Sequence, residues 1–389
     1  MRTSEKIFGI PLLSLLFASF LLIFSSNSQA RERMRIEPKI PDIPGYLTLK
    51  CDFHMHTVFS DGQVWPTVRV EEAWRDGLDV LAITDHLEYQ PHKDDLKKDL
   101  NRSYEIALPG ANALGLLLIK GSEITKEVPP GHFNALFLKD SSPLEHENYL
   151  DCIKAAIDQG AFVFWNHPPF RQKNEQSIWH PEHTVVYEKG WLHGIEVANG
   201  TDYYPEAHRW CLEKKLTMLG NTDIHQPVSF DYDSERGDRR TMTLVFAKSR
   251  TEEAIKEALF ARRTVVYVLN SLYGEKQFLE PLFKASIEIK NPEIKVKGKG
   301  GAGVQVKNLS DIPFRLVADS VLESLEIQRK ITLEPDAVVI LAVRGKEDNR
   351  AGTEEISLPY RVENLRPAPE EGLPVTLNLK VTFEPAEKK

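Results

Sequence analysis

The chain has 389 residues, 41% hydrophobic and 27% charged, with a formal net charge of −8. That balance excludes a disordered or fibrous chain and is enough for two domains. No block of Lys or Arg marks a nucleic-acid surface, and an acidic chain that meets a phosphate needs local positive charge, which metal ions can supply.

The first thirty residues read as a targeting segment. Arg2 and Lys6 are basic, Phe8 to Phe24 is almost wholly apolar, and Ser28-Gln29-Ala30 fits a small-x-small cleavage site. A secretory signal peptide is therefore expected over residues 1–30, and with it an exported protein, periplasmic or secreted. The apolar run is short for a span and carries Gly9 and Pro11, so no membrane span is expected after cleavage. Cys51, Cys152 and Cys211 are too few for a disulfide framework and read as buried free thiols.

Residues 31–45 form a Pro-rich lead, after which strand and helix patterns alternate. The apolar run Tyr46-Leu47-Thr48-Leu49 reads as a first strand and leads into Asp52-Phe53-His54-Met55-His56. Side chains alternate along a strand, so His54 and His56 project the same way. With Asp61 five residues on, they make half a metal cage. Pro66 opens a helix that Gly77 ends. The expected strand from Asp79 to Thr84 runs into Asp85-His86, and a helix is expected over about 94–113. A strand from Leu116 is followed by Glu123, and the one from Phe133 is preceded by His132. A helix is expected from Leu144, then a strand from Ala161 that ends at Asn166-His167-Pro168. Gly194 to Val197 ends in Asn199-Gly200, and Leu216 to Gly220 ends in Asn221-Thr222-Asp223-Ile224-His225. A strand from Thr241 and a helix from Thr251 close the series.

This alternation predicts an α/β domain over 46–280 with a largely parallel sheet. Roughly seven or eight strands in about 220 residues point to a closed barrel. His86, Glu123, His167, Asp223 and His225 each stand at the C-terminal end of an apolar run, the rim that carries chemistry in such barrels. From Ala285 onward helical period is absent. Alternating runs separated by Gly, Pro and Asn predict an all-β sandwich over 281–389.

The candidate metal ligands are His54, His56, Asp61, His86, Glu123, His132, His167, Asp223 and His225. Mixed imidazole and carboxylate sets suit Zn, Mn or Fe. Asp85, beside His86, is a candidate to orient a ligand or take a proton, and equally a candidate strand-end cap. Arg171 follows a metal-bearing strand end and is a candidate to clamp a phosphate oxygen. Tyr203 and Tyr204 are candidates for an apolar wall. Arg236, Arg239 and Arg240 read as a solvated loop, and His180 and His183 as unconnected with a metal.

These motifs, in this order, resemble the PHP superfamily (the polymerase and histidinol phosphatase group). The resemblance covers about residues 50 to 265, through His54-x-His56-Thr57, Ser60-Asp61-Gly62, Thr84-Asp85-His86, Glu123, His167-Pro168 and Asp223-x-His225. It implies a distorted seven-stranded β/α barrel with two or three divalent ions at the strand C-termini. One ion would be held by His54, His56, Glu123 and Asp223, a second by His132 and His167 with Glu123 bridging, and a third by Asp61, His86 and His225. It implies a phosphoesterase in which hydroxide generated at the metals attacks phosphorus. The export signal and C-terminal β-domain resemble those of secreted PHP phosphodiesterases, so the expected substrate is a small phosphate ester, a diester ahead of a monoester. The other readings are an amide or lactone hydrolase using the same metals, and a secreted binding module whose metals are structural.

Overall fold

The computed structural model describes residues 34–387. The expected signal peptide lies outside the described residues. Among those described, no helix is long and apolar enough to cross a membrane.

The catalytic candidates sit on one curled sheet. Its strands are β1 (Leu47–Asp52), β2 (Val80–Ile83), β3 (Leu117–Ile124), β4 (Phe133–Leu136), β5 (Phe162–Trp165), β6 (Gly194–Asn199), β7 (Asp202–Tyr203), β8 (Thr217–Asn221), β9 (Met242–Ala247), β10 (Thr264–Val268) and β11 (Ser271–Gly274). The hydrogen-bonded order is β11-β10-β9-β1-β2-β3-β4-β5-β6, with β7 and β8 both paired to β6. Both faces of β2 are buried. Leu81 and Ile83 enter one apolar cluster, while Val80 and Ala82 enter another. Period-two alternation into two cores accounts for its unbroken apolar run. Val80, Leu81 and Ile83 each contribute roughly 1.5–3 kcal/mol by leaving water.

The sheet is mixed rather than largely parallel. β1, β2 and β3 run parallel, as do β5, β6 and β8, but β4 is antiparallel to both neighbours and β9 is antiparallel to β1. The link from Ile124 to Phe133 is too short for a crossover helix, so β4 must turn back on β3. The reversal puts the N-terminal end of β4, where His132 stands, at the same rim as the C-terminal end of β3.

The far side of the curl meets β9 and β10 through side chains instead of a strand ladder. Gly220 N donates to Thr243 Oγ1 at 3.0 Å, and Thr243 and Thr264 hydroxyls donate to the Gly220 and Met218 carbonyls at 2.9 and 2.8 Å. A Cβ on Gly220 would stand 2.3 Å from Val266 Cγ1, so only glycine allows the approach. At the rim, Met55 and Ile224 form a parallel bridge.

Two helices start later than expected. Residues 91–101 form turns, and the helix runs Arg102–Ala113. The stretch before it is charged and exposed, with no apolar stripe to dock. The next helix is Tyr149–Ile157, started by Asn148, whose side chain accepts from Leu150 N at 2.8 Å. All three cysteines are free and buried.

The helix Lys276–Ser286 spans the expected 280/281 boundary. Beyond it lie a four-stranded and a five-stranded sheet, strongly alternating in burial. One short strand from this part, Leu365–Arg366, pairs with β11 and so extends the first sheet. The joint turns on Asn364, which is fully buried. Its Nδ2 donates to the Asn270 and Pro313 carbonyls, both at 2.7 Å, and its Oδ1 accepts from Arg315 N at 2.9 Å. Asn364→Ala is expected to lower unfolding free energy by about 2–4 kcal/mol in guanidinium titration, because each stranded buried group costs about 1–3 kcal/mol. A loss below about 0.5 kcal/mol would mean water replaces the amide.

Candidate metal centre

The nine candidate ligands converge at one end of the curled sheet. His54 and His56 lie just past β1 with ring centroids 5.1 Å apart, so strand alternation carries beyond the ladder. Glu123 is in the last turn of pairing on β3, bridged to His86, which follows β2. His167 follows β5, and Asp223 and His225 follow β8. His167 and Asp223 have φ of 27° and 54°, left-handed conformations that cost side-chain-bearing residues roughly 1–3 kcal/mol. Each is held there by its backbone N–H. His167 N donates to Glu196 Oε2 at 2.8 Å, and Asp223 N donates to His54 O at 2.9 Å.

Glu123 lies at the centre. Its oxygens stand 3.5 Å from His54 Nε2, 3.5 Å from His56 Nε2, 2.6 Å from His86 Nδ1, 3.1 Å from His132 Nδ1 and 3.5 Å from His167 Nε2. Asp223 Oδ1 is 3.1 Å from His54 Nε2 and 3.0 Å from His56 Nε2. Asp61 Oδ1 is 3.4 Å from His86 Nε2 and 3.2 Å from His225 Nε2. Four groups have donor atoms within 4.8 Å of one another: His54–His56–Glu123, His54–His167–Asp223, His86–Glu123–His132, and His56–Asp61–His86–His225.

The residues present fit divalent cations. His54 Nε2, His56 Nε2, Asp61 Oδ1, Glu123 Oε2 and Asp223 Oδ1 are buried and lack a hydrogen-bond partner. Orphaned polar atoms of that kind are rare in a folded interior, and five spread over overlapping groups of donor atoms call for shared partners. The charges agree. Burial works against ionising Glu123, yet His86, His54 and His132 hold its carboxyl well below the usual range. Burial likewise opposes charge on His86, but Glu123 and Asp61 push it up to about 10. His56, with burial and His86 both against a second proton, is lowered to about 4. The carboxylates thus gather positive charge around themselves, the role a metal takes in such a donor set.

Other side chains aim the ligands. Glu196 is fully buried on β6. It accepts from His54 Nδ1 at 2.9 Å, Asn221 Nδ2 at 2.9 Å and Asn199 Nδ2 at 2.9 Å, which turns His54 Nε2 toward the centre. Sequence reasoning missed it. The available signal was a carboxylate at an inward position of an apolar strand. His225 Nδ1 donates to Asp223 O at 2.7 Å, freeing its Nε2 toward Asp61. Arg69, also missed and fully buried, donates to the carbonyls of His56, Gln226 and Ile224 at 2.8, 2.8 and 3.1 Å, lacing the β1 end to the His225 loop.

Asp85 is engaged in holding a loop. Its Oδ1 accepts from Thr57 N at 2.7 Å and Ser60 Oγ at 2.8 Å, and its Oδ2 from Thr57 Oγ1 at 2.8 Å. These bonds position the segment between His56 and Asp61. Arg171 stands in the wall of the site, 62% exposed, with Glu127 Oε2 3.7 Å away. The solvated-loop reading needs correction at Arg240, which is 2% exposed and donates to Asp52 Oδ2 at 2.7 Å, because Asp52 and Asp76 offer buried counter-charges. Arg239 pairs with Asp311 at 3.1 Å, and Arg236 is exposed as expected. His183 donates to Pro130 O at 2.7 Å and stacks on Trp165 at 3.7 Å, well occupied without a metal.

Above the cluster opens a hollow of about 730 Å³, with Asp61, His86, His132, His167, Asp223 and His225 at its floor. Phe170, Arg171, Asn199, Tyr203 and Tyr204 stand in its walls. Its size is in the range of small-molecule sites.

Comparison with known proteins places these features. The chain is 47% identical, with a TM-score of 0.84, to a solved two-domain protein of Bacteroides vulgatus containing a predicted PHP-like metal-dependent phosphoesterase, over 89% of this chain and 99% of that one. It is 28% identical over 195 residues to an uncharacterised protein of Methanocaldococcus jannaschii, covering 46% of this chain and 83% of that protein. A candidate metal-dependent phosphoesterase of Bifidobacterium adolescentis is 17% identical with a TM-score of 0.39, over 54% of this chain and 95% of that one, too loose a likeness to bear on function. A family model for an Ig-like domain matches residues 287–378.

Proposed function

The chain belongs to the family of PHP-like metal-dependent phosphoesterases, and from that premise we propose that it is an exported enzyme hydrolysing small phosphate esters, diesters ahead of monoesters. We take the curled sheet as a distorted seven-stranded barrel over 46–280, with the β-domain over 281–389. The observation that carries the reading is the gathering of nine imidazoles and carboxylates into four overlapping groups of donor atoms, five of whose buried atoms lack a hydrogen-bond partner.

His54, His56, Glu123 and Asp223 would hold one ion, His132 and His167 with Glu123 a second, and Asp61, His86 and His225 a third, each Zn, Mn or Fe. When bound, such cations supply positive charge for a phosphoryl group and make water a nucleophile near neutral pH. The chain's own residues do the rest. Glu196 and the Asp223 carbonyl fix the rings of His54 and His225, and Asp85 fixes the loop that carries Asp61. Arg171 is the arginine of the hollow's wall among the described residues, and its planar fork suits a phosphate oxygen. Tyr203 and Tyr204, whose phenols burial holds above their ordinary range, stay neutral and narrow the access of water.

Purified protein supplied with Mn or Zn is expected to hydrolyse bis(p-nitrophenyl) phosphate faster than p-nitrophenyl phosphate, and to leave carboxyl esters and lactones untouched. Thorough chelation should reduce turnover at least about 100-fold, since the nucleophile depends on the cation, and added metal should restore it. Undiminished activity after chelation would refute the mechanism.

A further inference from the structure

The inference drawn here rests on the phosphoesterase reading and concerns the part of the substrate that is not phosphate. The hollow is much larger than a phosphoryl group needs. Its wall combines polar side chains with ring surface. Asn199 already donates to Glu196 at 2.9 Å, and the remaining polar wall groups besides Arg171 include Glu175 and Asp202, which repel an anion. For a neutral substituent the wall offers ring surface, from Phe170, Tyr203 and Tyr204.

Phe170 is the most telling of these rings. It is 43% exposed although it stands beside two candidate ligands. Its N–H donates to His167 O at 2.9 Å, so a tight turn ties its place to that of the ligand. The ring lies edge-on to His167 at 4.9 Å and to His132 at 5.3 Å. The Arg171 guanidinium sits 5.2 Å from its centroid, joining a cation and an aromatic surface at the mouth. Tyr203, also in the wall, is held by stacking on Tyr273 at 4.0 Å and by a hydrogen bond with His208 Nδ1 at 2.9 Å, which leaves it a fixed apolar surface.

We propose that this hollow selects phosphate esters bearing a planar aromatic group, and that Phe170 is the residue that recognises the ring while Arg171 meets the phosphate. An exposed phenyl group is costly to leave wet and gains both burial and ring stacking when a planar substituent covers it. A saturated substituent of the same size gains only the burial.

Titration calorimetry on the metal-loaded full chain separates these contributions without turnover, using benzylphosphonate and cyclohexylmethylphosphonate as probes of equal anionic chemistry. Benzylphosphonate is expected to bind about fivefold more tightly, the ratio that stacking beyond area burial predicts. Phe170→Leu should bring the ratio below about twofold, and Phe170→Tyr should preserve it. Equal affinities in the parent, or a ratio that survives Phe170→Leu, would overturn the assignment while leaving the phosphoesterase reading intact. Binding of neither phosphonate would remove that reading, and this proposal with it.

Discussion

Glu123→Gln is expected to lower kcat/KM by about 10³-fold or more while leaving a folded protein, the scale seen when a preorganised electrostatic element is lost from a reacting site. Glu123 is fully buried, and five histidines stand within 3.5 Å of its two oxygens. Asn166 Nδ2 donates to the same group at 2.7 Å. The amide keeps the shape and can still meet Asn166 after a flip, so packing survives. What it cannot do is carry the negative charge that two of the proposed ions share. Metal content by elemental analysis should therefore fall below that of the parent, and the thermal stabilisation given by added Mn or Zn should shrink in step. The circular dichroism spectrum should stay unchanged. A variant that keeps its full metal content and turns over at the parental rate would show that Glu123 is only a packing carboxylate.

Glu123 was readable because it interrupts an apolar run at a strand end, and the same holds for His54, His86, His167 and Asp223. Local pattern placed each of them, and a shared rim brought them together. His132 shows where local pattern gives out. It precedes its strand, and only the antiparallel return of β4, forced by a short link, carries it to the rim. Glu196 sits in the middle of β6 and looked like part of the strand, because a buried carboxylate differs from an exposed one only in its partners, which come from 142 and 25 residues away. Arg69 and Arg240 were hidden for the same reason. Charge near charge in sequence suggests solvent, yet both guanidinium groups are covered by segments remote along the chain. The β-domain was visible from alternation alone, but not the two-residue strand Leu365–Arg366 that joins it to β11, since two residues carry no period.

Arg240 gives the second large effect, in stability. Its Nη2 donates to Asp52 Oδ2 at 2.7 Å and its Nη1 lies 3.4 Å from Asp76 Oδ2, while Asp52 also accepts from Thr222 Oγ1 at 2.6 Å and from His54 N at 3.3 Å. The guanidinium therefore sits beneath the metal centre and ties together the backbone that presents His54 and Asp223. Burial opposes its charge, but Asp52, Asp76 and Glu72 more than offset that and keep it protonated. Arg240→Met fills much of the space yet strands a buried carboxylate, and breaking a buried pair in this way costs about 3–5 kcal/mol. Guanidinium unfolding of the metal-free protein should show that loss. Asp52→Asn alone should cost less, since the amide still accepts from Thr222. The double variant should cost clearly less than the two single losses combined, because once Asp52 is an amide the loss of Arg240 no longer strands its charge, and only Asp76 is left without the guanidinium. Additive losses would mean that Arg240 and Asp52 act independently, and that Arg240 owes its effect to packing against Met55 instead of to the carboxylate below the site.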